Sequence, residues 1–387
     1  MAVFEGGLSR ARELALRHFG HPTLRVHQTR VLGPLLTGLH VLAVLPTGAG
    51  KSLCYQVPAL MAAGLTLVVS PLVALMQDQV GALRRRGIPA AYLNSLLSPA
   101  ERADVLRATC TGRLRLLYCA PERLATLVPR LLEHRVRVTL LAVDEAHCIA
   151  EWGNEFRPVY RRLGEFRYRL GGPVTMALTG SATPATRAEI LEVLRMPGAE
   201  VVVTSFDRPN LTFRVERVRD DRERFARIRA GARDDSGVTV VYTPTRRLTE
   251  LVARALHFAG ARVAPYHAGL SATVRRAQLL EFLGGRLPVV VATSAFGMGI
   301  DKADVRRVLH WGPPPTLEAY YQEAGRAGRD GQPATCDLLW RPADFAWGAH
   351  DPAMRRYVTG RECRRRQLLG HFGEGLVRCA GCDRCNA

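Results

Sequence analysis

Lysine is nearly absent from this chain. Of its 54 basic residues only Lys51 and Lys302 are lysines, and the other 52 are arginines. A drift from Lys to Arg spares positions where a planar guanidinium cannot replace a compact ammonium, so the two survivors are the first residues to weigh. Long apolar runs are missing too. The longest, residues 59–69, is short and interrupted, well under the roughly 20 residues of a spanning helix. The first twenty residues hold no continuous apolar segment and include Glu5 and Glu13, which argues against a secretory leader or transit peptide. There is no low-complexity tract and no tandem repeat. These absences point to a soluble, cytoplasmic chain with no membrane partner. Among the features that are present, a hydrophobic content of 47% over 387 residues supplies core for two or three domains. A net charge of +19 suits a polyanionic partner, because neutralised phosphates release counterions. A generally arginine-rich proteome would produce the same excess.

Short apolar strands alternate with helical stretches. Strand candidates are residues 40–45, 66–70, 114–119, 138–144, 174–179 and 201–204, then 238–242, 262–265, 289–293, 307–310 and 334–339. Helical patterns such as 71–86, 99–109 and 245–259 fall between them. Strands apolar on both faces with helical crossovers mean parallel α/β sheets. Two such sheets fit, joined near residues 205–213. Beyond Trp340 the strand signal stops and an arginine-rich helical pattern follows. The expected domains are therefore 1–205, 206–340 and 341–387.

Lys51 lies where the first strand gives way to a helix, in the string Pro46-Thr47-Gly48-Ala49-Gly50-Lys51-Ser52. Glycines there let backbone N–H groups face phosphate oxygens, and the following helix adds its dipole. Lys51 is expected to reach the β- and γ-phosphates of ATP, and the Ser52 hydroxyl to ligate Mg²⁺. Asp144 and Glu145 end another apolar strand and run into Ala146 and His147. Asp144 suits Mg²⁺, and Glu145 suits orienting and deprotonating a water. The bland reading is a pair of capping acids; the neighbouring phosphate loop favours the catalytic one. Arg326 and Arg329, punctuated by Gly325 and Gly328, can offset charge on a γ-phosphoryl group. A solvated basic helix end is the alternative.

Four of nine cysteines crowd the last quarter as Cys363, Cys379, Cys382 and Cys385. Four thiolates in this spacing fit a structural, tetrahedral Zn²⁺. Two disulfides, free thiols or an iron–sulfur cluster are the competing readings. His371 is an alternative ligand, though a packing role on its helix is the favoured reading. Arg364, Arg365 and Arg366 form a basic run readable as DNA contacts or as a solvated face.

In this order the motifs resemble those of superfamily 2 helicases, and flanking strings narrow the resemblance to the RecQ family. Those strings are Val143 to Gly164 around the paired acids, Val69 to Val80, Ala120 to Leu124, Ser205-Phe-Asp-Arg-Pro-Asn210, Tyr266 to Leu270 and Val291 to Lys302. The resemblance runs from about Phe19 to Cys385. It implies two RecA-like parallel-sheet domains with a cleft for ATP and a small helical zinc-binding subdomain. It also implies ATP-dependent 3′-to-5′ unwinding of DNA in repair and recombination, acting on single-stranded and forked DNA as a monomer. Arg25 and Gln28 match the family's adenine-reading motif, and Thr47, Gly48, Ala49 and Gly50 its phosphate loop. Trp152, Phe156 and Arg157, with His147, match the segment that senses single-stranded DNA and couples it to hydrolysis, through stacking that tolerates any base. Gly297, Gly299 and Asp301 match the second-lobe motif that includes Lys302. The sequence departs from the family at His21, where an aromatic is usual, and at Glu151 and Asn154. It ends two residues after Cys385, so a short form without winged-helix and HRDC domains is expected. An RNA helicase with the same Asp-Glu-Ala-His letters, or an annealing module that has lost coupling, are the alternatives.

Overall fold

The computed structural model describes residues 4, 6–46, 48–152, 158–233, 237–297, 300, 302–346 and 349–385, excepting the side chains of Ala74, Glu151, Trp152 and Pro158. It divides into two compact units, Met1–Ser205 and Phe206–Ala387. Residues 341–387 fall within the second.

The first unit is built on β1 (Val41–Val44), β2 (Leu65–Val69), β3 (Ala90–Leu93), β4 (Leu116–Cys119), β5 (Val138–Val143), β6 (Val174–Thr179) and β7 (Glu200–Val203). They pair in the order β3-β4-β2-β5-β6-β1-β7, and every pairing is parallel. Strands β1, β5 and β6 are buried along their whole length, as a sheet covered by helices on both faces requires. Register sets Val44 beside Thr179, and Val143 beside Ala177. The carboxyl ends of β1, β6 and β5 thus share one edge, where open α/β sheets place their ligands.

The second unit repeats the plan with β8 (Leu211–Arg217), β9 (Val238–Tyr242), β10 (Val263–Tyr266), β11 (Val289–Ala292), β12 (Val305–His310) and β13 (Ala334–Trp340). Their order is β10-β11-β9-β12-β13-β8, again parallel. After β13 come the helices Pro352–Thr359 and Arg364–His371 and the cysteine-bearing tail, which meets edge strand β8 at a Phe213–Cys382 bridge.

Two strands differ from the sequence expectation, β3 and β8, and both close a sheet edge. An edge strand has one open flank, so its apolar signal is weak. Ala90–Leu93 holds no β-branched residue, and Leu211–Arg217 alternates between buried and exposed positions. The first three residues of β8 fall within the stretch expected to join the two sheets.

Candidate nucleotide site and cysteine cluster

Gly48 and Gly50 take left-handed φ values of 83° and 75°, a region that costs glycine nothing. They fold the loop between β1 and the helix Leu53–Met61, which begins straight after Lys51 and Ser52. Leu45 N–H donates to Thr179 O at 2.9 Å, and Ala49 N–H to Pro46 O at 3.1 Å. The Lys51 ammonium lies 3.2 Å from Leu45 O, so it folds back over the loop. Thr47 is outside the described residues.

The loop is held from the helix Val26–Leu36 and the residue before it. Arg25 donates to Gly48 O at 2.9 Å, and Gln28 Nε2 to Gly50 O at 3.3 Å. His27 Nε2 sits 2.7 Å from Ala49 O. A methyl group on Gly50 would lie 2.6 Å from Gln28 Nε2 and would displace that side chain, while φ of 75° strains any residue with a Cβ. His27 went unnoticed in the sequence; its one signal is its place between Arg25 and Gln28.

From β5, Asp144 N–H bonds Val69 O at 2.8 Å and Ala146 N–H bonds Leu178 O at 2.8 Å. Between them Glu145 takes φ +50°, which is costly for a non-glycine residue and turns the chain so that two successive acids leave one strand end. Asp144 is buried. Burial and the Glu145 carboxylate push its pKa up to about 7, against the pull of the Lys51 ammonium and the Glu145 N–H. A carboxyl held this high is a poor free anion and a good partner for a divalent cation, whose charge offsets the same desolvation. The oxygen donors of Asp144 and Ser52 fit the hard-cation preference of Mg²⁺. His147 is also buried, with Nδ1 2.9 Å from Thr179 Oγ1 and 3.4 Å from Glu145 Oε2. Thr179 Oγ1 in turn donates to Ser181 O at 2.9 Å. The paired acids, the end of β6 and the 180–183 turn are therefore linked by one polar chain. Trp152 ends the short helix Cys148–Trp152, with its side chain outside the described set; Phe156 and Arg157 lie outside it altogether, as do Gly299 and Asp301.

In the second unit, Arg326 is almost wholly buried. Arg326 and Arg329 both donate to Ile300 O, at 3.4 Å and 2.8 Å. This is not the solvated helix end weighed from sequence. Lys302 lies beside them, also buried, paired at 3.0 Å with Asp304 and 5.6 Å from the Phe282 ring centroid.

The sulfurs of Cys363, Cys379, Cys382 and Cys385 lie within 4.8 Å of one another. Cys363 and Cys382 are 3.9 Å apart, close to the ~3.8 Å edge of a tetrahedron with 2.3 Å Zn–S bonds and far beyond a disulfide. All four are free thiols. Burial opposes ionisation of Cys382, but N–H groups of Arg384 and Arg364 bring its thiol down to about 7, a thiolate poised for a metal. His371 is no ligand, since its Nε2 lies 2.7 Å from Glu318. The basic run also reads differently in three dimensions. Arg364 and Arg365 are fully buried; Arg364 pairs with Asp383 at 3.0 Å, and Arg365 pairs with Asp207. Of the three, Arg366 alone faces solvent.

Comparison with known proteins matches the DEAD/DEAH box helicase family at residues 25–191, the helicase conserved C-terminal domain at 223–331 and the RecQ zinc-binding family at 352–386. The ATP-dependent DNA helicase RecQ of Bacillus subtilis (strain 168) is 40% identical over 98% of this chain and 67% of its own length. The chain belongs to the RecQ family. The RecQ helicase of Pasteurella multocida (strain Pm70) is likewise 40% identical over 95% of this chain, which spans 61% of that relative's length. Among solved structures, the helicase MrfA bound to DNA and AMPPNP superposes with a TM-score of 0.72 at 20% identity, covering 95% of this chain and 58% of that one. At that identity the likeness speaks for the fold, two RecA-like parallel-sheet domains. Zn²⁺ suits the four-cysteine cluster of this RecQ-family chain in both geometry and family, and ATP with Mg²⁺ suits its phosphate loop and paired acids. No helix among the described residues is long and apolar enough to cross a membrane.

Proposed function

We propose that this chain is the motor of an ATP-dependent DNA helicase, coupling ATP hydrolysis to 3′-to-5′ movement on single-stranded DNA and to duplex unwinding in repair and recombination. The observation that carries the reading is the Asp144–Glu145 pair, with Asp144 buried and Glu145 partly exposed, delivered by β5 to the sheet edge that also bears the Lys51 loop, in a RecQ-family chain. Residues 47–52 cradle the phosphates, with Lys51 on the β- and γ-oxygens. Ser52 and Asp144 hold Mg²⁺, which neutralises phosphate charge when bound. Glu145 orients the attacking water and takes its proton. Arg326 and Arg329 offset charge on the transferred phosphoryl group. Arg25 and Gln28 meet the adenine while bracing the loop. His147 relays between the acids and the DNA-sensing segment that holds Trp152, Phe156 and Arg157. Single-stranded and forked DNA are the substrates of a monomeric, cytoplasmic, DNA-associated enzyme.

The deciding experiment is the ATPase rate alone, with single-stranded DNA and with single-stranded RNA. A rise of at least about tenfold with DNA is expected. Stimulation by RNA instead would make it an RNA helicase, and DNA binding without stimulation an annealing module.

A further inference from the structure

The string Ser205-Phe-Asp-Arg-Pro-Asn210 has no part in the site so far. Two of its side chains, Arg208 and Asn210, nevertheless reach the turn that carries Arg326 and Arg329. The helix Leu317–Ala324 ends just before that turn, and a helix end leaves carbonyls without intrahelical donors. Arg208 supplies the donors. Its Nη1 bonds Gly325 O at 3.2 Å, and its Nη2 bonds Ala327 O at 2.9 Å and Gly328 O at 2.8 Å. A cation here also complements the helix dipole. Asn210 Nδ2 adds bonds to Gly328 O and Gln332 O, both at 2.8 Å. The fit leaves no slack. Gly328 takes φ +53°, and a methyl group on it would lie 2.4 Å from Asn210 Nδ2.

The segment that carries Arg208 is itself held from behind. Arg365, on the helix that follows the cluster residue Cys363, donates to Asp207, to Arg208 O at 2.9 Å and to Leu211 O at 2.5 Å. Phe206 stacks on Phe372 of the adjoining residues at 4.5 Å, and Tyr321 donates to Phe206 O at 2.9 Å.

We propose that Arg208 is the positioning residue for the arginine-bearing turn, and that Arg365 locks it to the cysteine-cluster helix. The carbonyls of residues 325, 327 and 328 turn to Arg208, while the Arg326 and Arg329 side chains turn to Ile300 O. The backbone is thereby fixed on one side and the two guanidinium groups are presented on the other. The planar fork spreads its donors over three carbonyls, a span that the compact ammonium of lysine does not match. The catalytic half of this inference rests on the role proposed above for Arg326.

The test is Arg208→Lys in the full chain, compared with Arg326→Ala and the double variant. Arg208→Lys is expected to lower kcat of the DNA-stimulated ATPase about 10²-fold, the scale of an ångström's misplacement of a catalytic group. Its Kd for Mg-ATP should stay within about twofold, and its zinc content should match the parent. The double variant should lose clearly less than the product of the two single losses, because Arg208 acts in part through Arg326 itself. Hydrogen exchange of amides 325–331 should quicken about tenfold or more in Arg208→Lys. Parent-like exchange overturns the positioning role whatever the rates are. Unchanged kcat, or a full additive loss in the double variant, overturns its link to hydrolysis. If Arg326→Ala hydrolyses at the parent rate, the reading of Arg326 as catalytic fails, and exchange alone decides whether Arg208 holds the turn.

Discussion

At the scale of single residues, the scarcity of lysine turns into a prediction. Lys51 folds over the phosphate loop, and Lys302 sits in a buried slot between Asp304 and the Phe282 ring. Both places suit a compact ammonium, and the buried one at Lys302 leaves little room for a guanidinium. Lys51→Arg, the exchange that the rest of the chain shows everywhere, is expected to lower kcat for ATP about 10²-fold or more, with the melting temperature unchanged within a few degrees. A rate within threefold of the parent would mean that Lys51 was retained by chance. Residue identity alone misjudged the basic run: three consecutive arginines read as surface, yet Arg364 and Arg365 are internal and ion-paired with Asp383 and Asp207. No periodicity announces a buried arginine, because its partners Asp207 and Asp383 are remote in sequence.

At the scale of elements, the central strands were all legible, whereas of the four edge strands β7 and β10 were legible and β3 and β8 were not. Strands β1, β5 and β6 read as continuous apolar runs because both their faces are covered. The start of β1 carries a second prediction. His40 lies with Nε2 2.6 Å from Arg167 and Nδ1 3.1 Å from Thr175 N–H. Burial, and then the Arg167 charge, lower its pKa from 6.5. The folded chain therefore resists the proton that the unfolded chain accepts, so this contribution to stability is present above pH 6.5 and is lost as pH falls below it. Melting of the parent should fall more steeply from pH 7.5 to 5.5 than melting of His40→Asn. Parallel slopes would refute the assignment.

At the scale of the whole molecule, charge and metal set the behaviour. The cysteine cluster lies in the same compact unit as the arginine-bearing turn, so metal loss is expected to loosen more than the tail. Metal analysis should find one zinc per chain and no iron. Cys382→Ser should lose the zinc and lower the unfolding free energy of the second unit by several kcal/mol, since metal binding is coupled to folding. Retained zinc, or an iron–sulfur absorption band in the parent, would count against the site as drawn.

What the sequence determined by itself was the chemistry: a phosphate loop, two acids, two arginines and four thiols, each legible because a local string carries its own backbone requirement, such as glycine where φ is positive. The two-sheet plan was legible too, since strands buried on both faces declare themselves. Tertiary structure decided what depends on remote contacts. It placed His27 on the phosphate loop, raised the pKa of Asp144 to about 7, chiefly by burial, and joined Arg365 to the backbone of Arg208, 157 residues away, whose side chain bonds the turn of Arg326 and Arg329. Burial and long-range hydrogen bonds leave no imprint on neighbouring residues, so only the folded chain displays them.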